Sequence, residues 1–230
     1  MTPMKLHALP ILLALWACAA AACNPLAPMP DRTQYFILSP AAQSASAAVS
    51  APSTSQLSLG VGPIRFPDYL KRPGIVTRAS SDRLLVSDEK RWGEPLDRNF
   101  EGVLCQNLSQ MLGTERVRRY PWYSDVHVDY QVEVWVQRFD ASDDGRSQLS
   151  AVWTIRDGQD GHELASMEST ASAPVQSGDT AGSVALSQDL SVMSRKIADR
   201  IIQLNDSAVR RRAALRNPVP DPNGVGFLPS

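Results

Sequence analysis

The clearest periodicity in the chain runs from Val128 to Val136, where Val128, Tyr130, Val132, Val134 and Val136 alternate with Asp129, Gln131, Glu133 and Trp135. A period of two with one apolar and one polar face predicts a half-buried strand in an antiparallel sheet. Leu149, Ala151, Trp153 and Ile155 repeat the pattern, and the DGQDG stretch at 157–161 supplies turn residues that tolerate positive φ. The chain should fold back there through residues 162–170, giving a three-stranded meander.

Two segments carry the helical period instead. After Pro95, the residues Leu96, Phe100, Val103, Leu104, Leu108, Met111 and Leu112 recur three to four apart, and Gly113 stands where a helix ends. Leu186, Leu190, Met193, Ile197, Ile201 and Leu204 do the same and predict a last helix over about 184–204 that covers one face of the sheet. Shorter strands are expected at 35–38, 57–65, 75–79 and 83–87. In the second of these, Leu57, Leu59 and Val61 alternate with Ser58, Gly60 and Gly62, so one face is nearly bare and invites something to pack close above it. Residues 66–74 (FPDYLKRPG) hold two prolines and a glycine and predict a loop or sheet edge.

These elements describe a single α/β domain of the α+β type, a small, mostly antiparallel sheet with two main helices packed on it, placed at 35–206. Residues 39–56 are rich in Ala, Ser and Pro and read as a disordered insertion; 207–230 read as a disordered Pro-rich tail, with Arg210–Arg212 a solvated helix end.

The amino end adds an address. A fifteen-residue apolar run, Ala8 to Ala22, follows Lys5 and ends in three alanines before Cys23. It is shorter than the roughly 20 residues a membrane-spanning helix needs, and reads as a lipoprotein signal peptide over 1–22, with Cys23 acylated and 23–34 a tether. Cys18, three residues after Leu15, is the rival site, with bulky Trp16 against it. Asn24, in place of the aspartate that holds many lipoproteins at the inner membrane, favours the outer membrane's periplasmic face. Cys105 is then the one thiol left, which excludes an intramolecular disulfide. Its position beside the first helical stripe reads as a small buried residue.

Charge and motifs narrow the function. The chain has 23 basic and 24 acidic side chains, with no bias toward nucleic acid. Its three histidines, His7, His127 and His162, lack metal-ligand spacing; no G-x-S-x-G elbow, dinucleotide loop or Walker A sequence occurs. No catalytic residue, metal or cofactor is expected. Asp143, Asp144, Asp157 and Asp160 lie in turns, where carboxylates cap backbone groups. The better candidates are for contact: Asp68, Tyr69 and Arg72 in the proline-bracketed loop, and Trp135 on the more polar strand face. Trp92, Trp122 and Trp153 read as fillers of core edges.

Four motifs occur together and in order: V61-G-P-I-R-F-P-D-Y-L-K-R-P-G-I-V-T-R78, R91-W-G-E-P-L96 leading into a helix, Y120-P-W122, and D129-Y-Q-V-E-V-W-V-Q-R-F139. With the aromatic first strand Tyr35–Leu38, the chain resembles the ABC-type transport auxiliary lipoproteins, the paraquat-inducible protein C-like family, over roughly Tyr35 to Leu204. The resemblance implies a non-enzymatic docking subunit, anchored in the outer membrane, of an intermembrane lipid transport system that supports envelope integrity. Its implied partners are a protein with MCE (mammalian cell entry) domains and an ABC permease and ATPase, with a homo-oligomeric ring as a plausible assembly. A different class of function, a periplasmic carrier holding lipid in a groove between the last helix and the sheet, is the alternative.

Overall fold

In the computed structural model, residues 30–41, 54–122, 126–178 and 180–216 are described. The chain divides at Arg32, and the unit from Thr33 onward carries every strand and helix of the described residues. In chain order these are β1 (Gln34–Phe36), β2 (Leu59–Arg65), β3 (Gly74–Arg78), β4 (Leu84–Trp92), α1 (Leu96–Leu112), β5 (Val117–Arg119), β6 (Tyr130–Ser142), β7 (Arg146–Asp157), β8 (Glu163–Ala171) and α2 (Ala181–Arg216). Cys23, Cys18 and the expected signal peptide lie outside the described residues.

The sheet is built around β6. One edge pairs antiparallel with β7 along its whole length, and β7 pairs in turn with β8, which is the expected meander. The other edge is shared between two parallel neighbours, β2 in the first half and β3 in the second. Antiparallel ladders carry most of the paired residues, as expected, but β1 and β5 also join in parallel, so the sheet is mixed and eight-stranded. A bulge between Val136 and Arg138 inserts an extra residue into β6, after which Phe139 regains the inward phase opposite Leu149. The alternation legible in sequence therefore stops at Val136, although the strand continues to Ser142.

Both helices cover the same face. Phe100 of α1 is fully buried and meets Phe66 and Phe139 edge to face, with ring centroids 5.2 and 5.3 Å away. Each such contact adds about 0.5–1.5 kcal/mol to the roughly 1.5–3 kcal/mol from burying a ring. Gly113 ends α1 in the left-handed conformation, φ 65°, as its position suggested. On α2, Leu186, Leu190, Met193, Ile197 and Ile201 are buried together with Leu149, Trp153 and Ile155 of β7. Trp153 satisfies its one donor by bonding Nε1–H to Ser169 Oγ at 2.8 Å.

The last helix corrects the expected boundary. It runs on to Arg216, so residues 207–216 are helical and not part of a disordered tail. Ala208, Ala213, Ala214, Leu215 and the arginines are strong helix formers, and they extend the helix past the point where core contacts end. The segment 39–56 is pinned at both ends. Ser39 N–H donates to Ser187 Oγ (3.1 Å), Ala41 N–H to Asn107 Oδ1 (2.8 Å), and buried Thr54 donates its hydroxyl to Leu112 O (2.7 Å). Its middle, 42–53, lies outside the described residues.

On the face away from the helices, the bare side of β2 is occupied as its glycines implied. A Cβ on Gly60 would come within 2.5 Å of the Trp122 ring, while Gly62, at φ 113°, lies under Tyr120 and beside Glu101 of α1. Tyr120 and Trp122 stack edge to face at 5.6 Å. Trp122 thus fills a sheet face, whereas Trp92 and Trp153 are core residues. Gly60→Val should destabilise the fold by about 1–3 kcal/mol, the range for overpacking. Pairing it with Trp122→Ala in a denaturation double-mutant cycle should recover part of that loss; strict additivity would place the clash elsewhere.

Asp189 of α2 is buried and accepts a 2.6 Å bond from Ser147 Oγ. Burial pushes its carboxyl up, against the opposing pull of the Ser147 bond and of Arg146. Because the folded state holds this proton more tightly than the unfolded chain, its contribution to stability is fullest below the ordinary carboxylate value. The contribution is lost as pH rises through the raised folded value. Asp189→Asn keeps an acceptor for Ser147 and removes the buried charge. The melting temperature at pH 7 should rise by roughly 2–4 °C, the shift about 1 kcal/mol produces in a domain this size. The gain should shrink toward pH 3, and thermal melts at several pH values would read it.

Candidate functional site

The parallel contacts of β6 leave a gap. β2 ends with Arg65 opposite Trp135, and β3 re-engages with Thr77 opposite Ala141. From Trp135 to Ala141 β6 advances six positions while the chain from Arg65 to Thr77 advances twelve, and the surplus turns out of the sheet between Pro67 and Pro73. Pro67 precedes a single 3-10 turn, Asp68–Leu70, which sends Phe66 and Leu70 inward and Asp68, Lys71 and Arg72 toward solvent.

A second loop faces it. At the end of β4, Trp92 N–H donates to Pro73 O (2.7 Å) and Gly93 N–H to Phe36 O (2.8 Å), which ties residues 92–93 to both neighbours. Pro95 then opens α1, its carbonyl accepting from Arg98 and Asn99 N–H at 3.0 Å. Between the loops lies a cleft of about 450 Å³, with an apolar floor of Phe66, Leu70, Trp92 and Leu96. The two sequence motifs FPDYLKRPG and RWGEPL are therefore its two walls.

Charges rim the cleft, and most are engaged. Lys71 Nζ donates to Asp68 Oδ1 at 2.8 Å, and this bond holds the Asp68 carboxyl below its usual value. Glu94 accepts from Asn99 Nδ2 (2.6 Å), and Asp97 accepts from Arg98 N–H (2.9 Å). Arg72 is exposed and makes no hydrogen bond or ion pair among the described residues. An apolar floor beside a free guanidinium suits an apolar or aromatic side chain with an acidic neighbour.

Tyr69 has a different role from its loop neighbours. It is partly buried, and its hydroxyl donates to Asp140 Oδ2 at 3.0 Å. Asp140 is fully buried and also takes Arg78 Nη2 at 3.1 Å and Arg138 Nε at 2.9 Å. Burial, then the Asp140 charge, pushes the Tyr69 phenol up, and the Asp140 bond holds Arg78 above its usual value. Tyr69 thus fastens the loop to β6. Trp135 is 59% exposed on the open sheet face, beside Arg65 and Val152, outside the residues that line the cleft. Asp68, Tyr69 and Arg72 are brought together, and Trp135 is apart from them. Sequence reasoning assigned Trp92 to the core and passed over Phe66, Leu70 and Leu96 as site residues; the two motifs were the available signal.

Other chemistry is accounted for by the fold. The Cys105 thiol is pushed up to about 11, chiefly by burial, so little thiolate forms near neutral pH. Asp157, Asp160 and His162 have ligand-type atoms within 4.8 Å of one another, but Asp157 caps Gln159 N–H and Asp160 caps His162 N–H, as turn carboxylates do. The seam between α2 and the sheet, where a lipid groove was an alternative, is filled by buried side chains. The notch at its Tyr130–Leu204 end, about 130 Å³, falls below the roughly 300–1,000 Å³ of small-molecule pockets. Among the described residues, no helix is long and apolar enough to cross a membrane.

Comparisons with known proteins agree with this architecture. A family model for an ABC-type transport auxiliary lipoprotein component matches residues 36–198. The intermembrane transport lipoproteins PqiC of Escherichia coli (strain K12) and of Shigella flexneri are each 28% identical over 106 residues, 46% of this chain and 55% of theirs. The chain spans about half the length of these curated relatives. Among solved structures, protein XCC0632 from Xanthomonas campestris has a TM-score of 0.63 at 17% identity, over 77% of this chain and 99% of that one. A crystal structure of an uncharacterized protein has a TM-score of 0.59 at 24% identity, over 74% and 98%. Both share the fold. Since the family match runs from the end of β1 into α2 and includes both walls of the cleft, the chain belongs to the family of ABC-type transport auxiliary lipoprotein components.

Proposed function

We propose that the protein is the positional subunit of an intermembrane lipid transport system, held by an acylated Cys23 at the periplasmic face of the outer membrane, where it grips an MCE-domain partner. The observation that carries this reading is the cleft between the 66–73 and 92–97 loops, built from two motifs of the family-matched region and left with a free Arg72 at its rim. The PqiC relatives are intermembrane transport lipoproteins by name, which supports the kind of system. The protein supplies contacts, and any ATP hydrolysis belongs to a permease-associated partner. A rigid loop suits this role, because a docking surface fixed before binding loses little entropy when the partner arrives.

Arg72→Glu tests the cleft without disturbing the fold, since Arg72 is exposed. Recovery of the MCE-domain partner in co-purification should fall about tenfold, the effect of losing a moderate interface hot spot, with no change in melting temperature. Undiminished recovery would remove this loop from the interface. The anchor is tested separately: Cys23→Ser should abolish incorporation of labelled palmitate and release the protein from the envelope fraction, and firm retention of the variant would refute the lipid tether.

A further inference from the structure

A groove of about 460 Å³ runs between residues 37–41 and the outward face of α2. Ile37, Val184 and Val192 line it, and each is about half exposed or more. Strand alternation puts Tyr35 and Ile37 on the side away from buried Phe36 and Leu38, and Tyr35 is exposed as well. On α2, Val184, Gln188, Val192 and Arg195 follow one another four, four and three residues apart. They share the exposed face of the helix, where polar residues are the rule.

The serines of the groove add little unmet demand. Ser183 Oγ donates to Thr180 O (2.9 Å) and Ser187 Oγ to Ser183 O (2.7 Å), and Ser187 Oγ accepts from Ser39 N–H (3.1 Å). Arg195 is the one charged side chain among the residues that line the groove. It is exposed and makes no hydrogen bond or ion pair among the described residues. The surface therefore offers hydrocarbon and one uncompensated positive charge, with no carboxylate in its lining to repel an anion. Apolar patches rimmed by polar residues mark sites of protein or membrane contact, and two features favour the membrane here. The sign of the charge suits the phosphates of lipid headgroups. The chain also reaches this patch straight from its amino end: from Cys23 to Tyr35 it advances twelve residues, at most about 40 Å when fully extended. With acyl chains on Cys23, that length keeps the patch at a local concentration near the bilayer that makes even a weak contact effective.

We infer that this face of the folded domain rests on a phospholipid surface, Ile37, Val184 and Val192 entering the headgroup layer and Arg195 meeting a lipid phosphate. The inference takes only the acylated Cys23 from the proposed function, and it adds a second contact that sets which side of the domain faces the bilayer. A tether alone leaves that orientation free, whereas a tether and an apolar patch with a cation at its end fix it. The groove shares no lining residue with the cleft, so membrane contact here leaves the residues of the cleft to a partner.

The test uses the mature chain from residue 23 with Cys23→Ser, which carries neither signal peptide nor acyl chains, so that only the folded surface can bind. Vesicles of phosphatidylethanolamine with phosphatidylglycerol should carry the protein in flotation, and vesicles of phosphatidylcholine should carry less of it. Arg195→Gln should weaken flotation roughly fivefold, the share of one cation near an anionic surface. Val184→Asp with Val192→Asp should weaken it about tenfold or more, since both side chains leave the headgroup layer. All three positions are exposed, so melting temperatures should stay unchanged. No flotation at any lipid concentration, equal recovery on the two kinds of vesicle, or variants that float like the parent would each overturn the inference. Such a failure is distinct from loss of the lipid tether, which labelled palmitate on Cys23 reads, and from loss of partner recovery through Arg72.

Discussion

The shared edge of β6 is the constraint from which the rest follows. A strand of thirteen residues meets two shorter parallel neighbours on one side, and the chain joining those neighbours is longer than the ladder it must bridge. Six residues of strand rise about 20 Å. The excess cannot stay in the sheet without leaving its backbone groups unpaired, so it turns outward and is stiffened by Pro67 and Pro73. The cleft is the geometric remainder of this mismatch, closed on its far side by the end of β4 and the first turn of α1.

Phe66 and Leu70 anchor that excursion in the core, and a polar cluster fixes its direction. Asp140 is a fully buried carboxylate, and Tyr69, Arg78 and Arg138 surround it from the loop, from β3 and from β6 itself. Such a cluster adds little net stability, because desolvating the charges offsets much of their attraction. It does fix direction: every lone pair is spoken for in one arrangement of loop and strands. Asn99 and Asn107 act similarly on α1, where their carbonyl oxygens accept from Leu38 and Ala41 N–H and so pin the chain after β1. An apolar core would tolerate sliding here, and these side chains do not.

The sequence showed most of what depends on periodicity. The β6–β8 meander, both helices, the αL glycine after α1 and the crowded bare face of β2 all come from local patterns, and their alternation or stripes are uninterrupted. It was silent where a pattern breaks or is too short. The bulge at Gln137 shifts the phase and hides the last six residues of β6; β5 is three residues with no alternation; Arg210–Arg212 sounded like a loose end while Ala and Leu nearby kept the helix going. At the site, the loop was legible from its prolines, but the direction of Tyr69 was not, because its partner Asp140 is 71 residues away. A burial pattern can mark a tyrosine as amphipathic; only the fold says which end is wet.

The distribution of satisfied and unsatisfied groups bears on function. Among the described residues, several side chains with chemical capability are committed: Asp140 and Asp189 to buried hydrogen bonds, Asp157 and Asp160 to a turn, Cys105 on α1 to its protonated form. Uncommitted groups at the surface include Arg72 over an apolar floor and Trp135 on an open sheet face. Binding free energy comes from such unmet demands, since a group already paired within the monomer gains little from a new partner. A fold that settles its reactive groups internally and keeps its free valences at the rim is suited to holding other molecules in position.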